Sequence, residues 1–269
     1  MDKVTSAETV RQYYDSPEVP RQFVGTHPMG GGGFLELYYR HYFEVQHLKK
    51  IVRFNPSLSV LELGCGNGRW VVSLAPLVQN YTAVDFSQRA LDIAQEDVEA
   101  RGITNVEFHK CSVTEFSSDR LYDVIYFSGV SPHLEDDEIK RILDNLSPSC
   151  KPNTVIIDRS TVNYQEREIN STKNYYAIYR KPIELDELFR AKGFQLSYQK
   201  RSYRFLRASH QLFFGPLNRI TPFLVLRSRP LSFYVLLGIS FVADLLHPIP
   251  FEGGNRSHDF FLFKRCDVA

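Results

Sequence analysis

Residues 60 to 68 read Val-Leu-Glu-Leu-Gly-Cys-Gly-Asn-Gly: an apolar run carrying one acid, Glu62, then glycines at alternate positions, Gly64, Gly66 and Gly68, with Cys65 and Asn67 between them. Glycine permits a sharp turn and leaves peptide N–H groups bare for a ligand at the start of the following helix. The spacing discriminates between ligands, because a pyrophosphate fingerprint needs G-x-G-x-x-G and this chain has Arg69 where the third glycine would fall. Asp85 ends the next apolar run, 17 residues beyond Gly68, where a carboxylate can accept hydrogen bonds from both hydroxyls of a ribose. Separately, the glycines could be only a turn and Asp85 only a helix cap. Together they describe an adenosine-bearing ligand.

A second group follows the apolar run 122–127. His133, in Ser131-Pro132-His133-Leu134, falls where ligands bind at the carboxyl edge of an open α/β sheet. Its ordinary pKa near neutrality suits removal of a proton from a hydroxyl or phenol; the alternative is a loop residue ahead of Glu135-Asp136-Asp137. Tyr179 and Arg180, with Lys181, are candidates for substrate contact, against a solvated basic surface. Cys65, Cys111, Cys150 and Cys266 form no C-x-x-C pair and no His stands at ligand spacing, so neither a zinc site nor a disulfide framework is expected. A reducing cytoplasm fits that pattern.

Positioning these residues requires a sheet. Short apolar runs alternate with helical patterns, which predicts an α/β fold: a doubly wound, mostly parallel seven-stranded sheet with helices on both faces. Strands are expected at 58–63, 81–84, 105–111, 122–127, 154–157, 194–198 and 258–264, and helices over 69–78, 87–101, 135–146 and 183–192. Ser87 is placed to cap one helix, and Gly102 and Gly193 to close two others. The 269 residues, 43% of them hydrophobic, suffice for one large core. The organisation read from this pattern is an N-terminal helical lid over 1–50, an α/β core over 51–202, an insertion over 203–257 and a last core strand over 258–269. Gly30 to Gly33 either offer the lid a hinge before an aromatic helix from Phe34 to Lys50 or form an ordinary flexible loop.

The segments Val-Leu-Glu-Leu-Gly-Cys-Gly-Asn-Gly-Arg-Trp at 60–70 and Ala-Val-Asp-Phe-Ser at 83–87 resemble those of class I S-adenosylmethionine-dependent methyltransferases. The resemblance covers roughly residues 50–200 and the last strand. It implies S-adenosyl-L-methionine as cofactor, with Glu62 and the backbone of Gly64, Cys65, Gly66, Asn67 and Gly68 at its methionine end. Asp85 would take the ribose and Phe86 lie against the adenine. Ser112 stands where the family often has an acid for the adenine amino group, and Val113 where it has an apolar cover. Ser128 and Gly129 would face the methyl group. The resemblance also implies that the segment containing Tyr13 and Tyr14 folds over the cofactor, and that the insertion before the last strand selects the acceptor.

From Leu188 to Ala243 the chain has no Asp or Glu but nine Lys and Arg residues, interleaved with apolar runs such as Leu231 to Val242. That combination suits peripheral contact with an anionic membrane through 203–250, or a lipid-linked phosphate; a lid over the pocket or an apolar homodimer interface would show the same apolar excess. No run is long enough for a confident span, and the opening residues Met1 to Ser6 hold no apolar signal core, which argues against export. A net charge of +1 gives no reason to expect nucleic acid. The reading is therefore an enzyme that methylates a small, glycan or lipid-linked acceptor at oxygen. Its competitors are an N-methyltransferase, a membrane-associated adenosyl-binding protein without turnover and, more distantly, a nicotinamide-dependent oxidoreductase.

Overall fold

The computed structural model describes residues 14–16, 19, 21, 24, 33–172, 175–201 and 255–266. Its elements are α1 (Gly33–Ile51), β1 (Ser59–Leu63), α2 (Arg69–Leu74), β2 (Asn80–Asp85), α3 (Gln88–Glu99), β3 (Val106–Lys110), β4 (Tyr122–Phe127), α4 (Asp136–Leu146), β5 (Cys150–Asn163), β6 (Glu168–Thr172), β7 (Tyr175–Tyr179), α5 (Pro182–Arg190), β8 (Phe194–Arg201) and β9 (Arg256–Arg265). The chain divides into two compact units, one holding β1–β9 with α2–α5 and the other holding α1.

Seven strands form one sheet in the order β3-β2-β1-β4-β5-β9-β8. The first five are parallel, and β9 runs antiparallel to both β5 and β8. This is the expected mostly parallel, doubly wound fold. β1 and most of β4 are buried on both faces, which explains their nearly continuous apolar runs. The chain leaves β1 toward β2 and β3, then returns to place β4 on the other side of β1. That reversal opens a crevice beyond the carboxyl ends of β1 and β4. Register makes the rim level, since Leu63 pairs with Val84 and with Phe127, so Gly64, Asp85 and Ser128 all emerge at one edge.

One face of the sheet packs Leu61, Ile125, Phe127 and Ile156 against Ile142 and Leu143 of α4 and Phe189 of α5. Phe189 stacks on Phe263 with centroids 3.9 Å apart. On the other face Trp70 meets the ring of Tyr126 edge-on at 5.1 Å. Ser87 caps α3 by accepting the N–H of Ala90, and Gly102 and Gly193 take positive φ where two helices close.

Three features depart from the sequence pattern. The helix expected over 69–78, α2, ends at Leu74 and tightens into a 3-10 turn over Ala75–Leu77, where Pro76 supplies no N–H. β5 runs to Asn163 rather than Ile157, because its polar continuation pairs with β9 from Ser160↔Asp259 to Asn163↔Arg256; ladder bonds, not apolar patterning, define that part. The β6–β7 hairpin was not expected, since Glu-Ile-Asn-Ser-Thr lacks a clean apolar face. Residues 30–32 of the hinge and nearly all of the 203–257 insertion, with its membrane, lid and dimer readings, lie outside the described residues. Among the described residues, no helix is long and apolar enough to cross a membrane.

Candidate active site

The turn after β1 has the glycine geometry its sequence requires. Gly64, Gly66 and Gly68 all have positive φ, +73°, +52° and +77°, a region costly for any side chain. Packing adds a second reason: a Cβ on Gly64 would lie 2.1 Å from Cγ2 of Val130, and one on Gly68 2.6 Å from Cβ of Ala94. At these two positions protein packing by itself excludes a side chain. The turn is fastened to β2, with the N–H groups of Gly64 and Cys65 donating to the Val84 carbonyl at 2.8 and 3.0 Å.

Asp85 joins that brace. Its Oδ2 accepts the Gly66 N–H at 2.8 Å and its Oδ1 accepts the Ser87 N–H at 2.9 Å. Burial pushes this carboxyl up to about 6, against the opposing pull of those N–H groups. Glu62, in β1, is fully buried and accepts the Tyr81 hydroxyl on Oε2 at 2.7 Å. Its Oε1 has no hydrogen-bond partner among the described residues. Burial lifts Glu62 to about 7, with the Tyr81 hydroxyl holding it down. A buried carboxylate oxygen without a donor is costly, and a ligand ammonium or hydroxyl arriving over the turn would satisfy it. The residues present therefore fit the methionine and ribose ends of S-adenosylmethionine.

Further along the rim, Phe86 is half-buried between Asp85 and the start of α3. After β3, the Ser112 hydroxyl lies 2.8 Å from that of Thr114, and Val113 packs on the core. The N-terminal segment crosses this side: Asp15 accepts the Ser87 hydroxyl, Arg89 donates to the carbonyls of Ser16 and Val19, and Val19 and Val24 pack with Ala90 and Ile93. Tyr14 reaches the opposite bank, its ring 6.1 Å from that of His133 and edge-on to it.

Beyond β4, the Ser128 N–H donates to the Leu63 carbonyl at 3.1 Å, and Gly129 has φ +77° with Arg159 beside it. His133 sits on a 3-10 turn (Ser131–His133). Its Nδ1 lies 2.6 Å from the Tyr176 carbonyl, and its ring meets Tyr175 edge-on at 5.4 Å. A carbonyl only accepts, so the neutral ring carries its proton on Nδ1 and its basic lone pair on Nε2. Tyr179 is buried beneath the Arg256 guanidinium, its hydroxyl 3.3 Å from that of Tyr175. Arg180 is buried too and donates to Asp136 and to the carbonyls of Ser131 and Leu134. The solvated basic surface weighed for Tyr179 and Arg180 is thus not what the fold gives them; protein groups engage them instead.

Asp158 is not among the residues that the sequence pattern singles out. It sits on β5 level with Phe127, fully buried, with Oδ2 lacking a partner among the described residues. Burial pushes it up to about 6, with the Ser160 hydroxyl opposing. The signal was available: Val155-Ile156-Ile157-Asp158 is an apolar run ending in an acid, the same signature that marks Asp85.

Residues 60–153, from the strand before the glycine turn to the start of β5, match the family model described as a methyltransferase domain. Over this segment, which is under half of the chain, the protein is similar to a methyltransferase domain. Among curated proteins, the methyltransferase segment is similar to ubiquinone biosynthesis O-methyltransferases of Rickettsia felis, 31% identical over 121 residues that cover 45% of each chain, and of Rickettsia canadensis, 26% identical over 153 residues that cover 52% of this chain and 63% of that one. The chain spans about half the length of the curated relatives it matches. Solved structures with the methyltransferase fold include the magnesium protoporphyrin IX methyltransferase of Synechocystis with bound cofactor, at TM-score 0.58 and 17% identity over 76% of this chain and 94% of that one. The cyclase SpnF matches at TM-score 0.65 and 14% identity over 97% of both. A methyltransferase fold therefore also serves a protein named for another reaction, and chemistry must be argued from the site.

Proposed function

We propose that this chain is an S-adenosyl-L-methionine-dependent methyltransferase that methylates a small acceptor at oxygen, with a glycan or lipid-linked acceptor as the finer reading. The observation that carries it is the convergence of Asp85, Glu62 and the glycine turn on one rim of the sheet, with an unsatisfied Glu62 oxygen beside backbone already braced by Asp85. When bound, the cofactor supplies a methyl carbon on a sulfonium, an excellent leaving group. The protein's task is then alignment, desolvation and proton removal. Glu62 and the turn hold the methionine end, and Asp85 the ribose. Phe86, Ser112 and Val113 border the adenine, and Ser128 and Gly129 the transfer point. His133 Nε2 accepts the proton of the acceptor hydroxyl as its oxygen is methylated. Tyr14 and Tyr175, edge-on to His133, narrow the approach and exclude water. Oxygen as the acceptor atom is supported by the names of the ubiquinone biosynthesis relatives and by a neutral imidazole, which suits a hydroxyl. The basic, apolar segment 203–250 would make peripheral contact with an anionic membrane at the inner face, or serve as a homodimer surface.

Incubation with methyl-labelled cofactor and fractionated cell extract is expected to transfer label to one acceptor fraction. The product should lose its label under conditions that cleave methyl ethers or esters and retain methylamines. Tight cofactor binding with no transfer across all fractions would instead identify an adenosyl-binding protein. Label surviving that cleavage would move the acceptor atom to nitrogen.

A further inference from the structure

The β6–β7 hairpin grips the His133 turn from two sides. From β7, the Tyr176 carbonyl faces His133 Nδ1 at 2.6 Å. From the residue after β7, Arg180 donates through Nη1 to the Ser131 carbonyl at 2.8 Å and through Nη2 to the Leu134 carbonyl at 2.6 Å. Its Nε donates to Asp136 Oδ1 at 2.8 Å. These partners flank His133 in sequence, so one guanidinium spans the whole turn. The Arg180 side chain is 3% exposed, and in such dry surroundings each bond is strong and each loss costly. Asp136 is itself gripped by both terminal nitrogens of Arg167, at 3.0 and 2.9 Å, which anchors the clamp to the first turn of α4.

We infer that Arg180 is a positioning residue for His133, holding the turn so that Nδ1 meets the Tyr176 carbonyl and Nε2 remains the basic nitrogen. This assigns the unexpected hairpin a purpose, and it removes Arg180 from the surface that meets the acceptor. A planar fork suits this site, because Nε, Nη1 and Nη2 each meet a different acceptor and the single nitrogen of an ammonium cannot stand in all three places. The inference rests on the reading of His133 as the proton acceptor, yet the clamp can be tested without turnover.

Long-range proton–nitrogen correlation spectra of the imidazole are expected to show the neutral Nδ1–H form of His133 in the wild-type protein. Arg180→Lys keeps the charge and is expected to fold and to bind S-adenosylhomocysteine as the wild type does, while its His133 signals shift to a mixture of both tautomers. Arg180→Met should shift them further; if it fails to fold, the lysine variant alone decides. A pure Nδ1–H form in Arg180→Lys would overturn the inference. Normal label transfer by His133→Ala would instead overturn the base assigned under the proposed function, while leaving the Arg180→Lys spectrum to stand or fall by itself.

Discussion

Asp85 Oδ2 accepts the Gly66 N–H at 2.8 Å, so a single carboxylate ties the end of β2 to the middle of the glycine turn. The acid proposed to hold the ribose also sets the shape of the cradle. Asp85→Ala should therefore weaken S-adenosylhomocysteine binding through both effects, by about 1.5 to 3 kcal/mol for the lost charge-assisted bonds alone. Titration calorimetry measures this directly, and wild-type affinity in the variant would remove Asp85 from the site.

A pH dependence follows from the same pocket. Folding raises Asp85 from 3.8 to about 6 and Glu62 from 4.5 to about 7. Between those limits the native state binds more protons than the unfolded chain, so stability of the ligand-free protein is fullest below the unfolded values and declines as pH rises through the folded ones. The cofactor reverses the preference, because its ammonium and ribose hydroxyls favour ionised carboxylates. Affinity is expected to rise between about pH 5.5 and 7.5 and then level, with proton release visible as a buffer-dependent binding enthalpy. A flat profile would place neither acid against the cofactor.

Tyr81 offers a way to move that profile. Its hydroxyl is bonded to Glu62 Oε2 at 2.7 Å and holds the acid down. Tyr81→Phe leaves Glu62 with less stabilisation of its charged form. The midpoint of the affinity profile should shift to higher pH, and the protein should lose about 1 to 3 kcal/mol of stability for the buried acceptor left unpaired. Denaturant unfolding and the calorimetric pH series together check it; an unmoved midpoint would show that Glu62 does not control binding.

How much of this is legible in the sequence depends on whether a feature is written in short-range pattern. β1, its glycine turn and Asp85 were readable because apolar runs end in residues whose backbone or charge has one obvious use. Ser87, Gly102 and Gly193 were readable as caps for the same local reason. The β6–β7 hairpin and the polar half of β5 were not, because strand pairing there is carried by long-range ladders such as Thr161↔His258. Arg180 shows the limit most clearly. Its sequence neighbourhood suggested a surface cation near a substrate, whereas its partners Ser131, Leu134 and Asp136 are more than 40 residues away.

His133 can be separated from cofactor binding. It lies across the crevice from Asp85's turn, on the far side of β4, and its Nδ1 is committed to the Tyr176 carbonyl. His133→Ala should leave S-adenosylhomocysteine affinity unchanged and lower label transfer by roughly 100-fold or more, the contribution of a positioned base. The loss should shrink at high pH, where the acceptor hydroxyl ionises without help. A rate equal to wild type at neutral pH would make the residue structural.

Gly68 and Gly102 separate the two reasons for glycine. Both have positive φ, +77° and +64°, but a Cβ on Gly68 would meet Ala94 Cβ at 2.6 Å while one on Gly102 meets nothing within 4 Å. Gly102→Ala should thus cost only the left-handed backbone penalty, about 1 to 2 kcal/mol. Gly68→Ala should add an overpacking cost of about 1 to 3 kcal/mol, because α3 must retreat from the turn. That retreat would carry with it Ser87 and the Asp85 brace at the head of α3, so cofactor affinity should fall for Gly68→Ala and hold for Gly102→Ala. Urea unfolding and calorimetry on the two variants measure both quantities. Equal losses of stability with equal affinities would mean that α3 yields freely and that the close approach of Gly68 to Ala94 has no part in shaping the cradle.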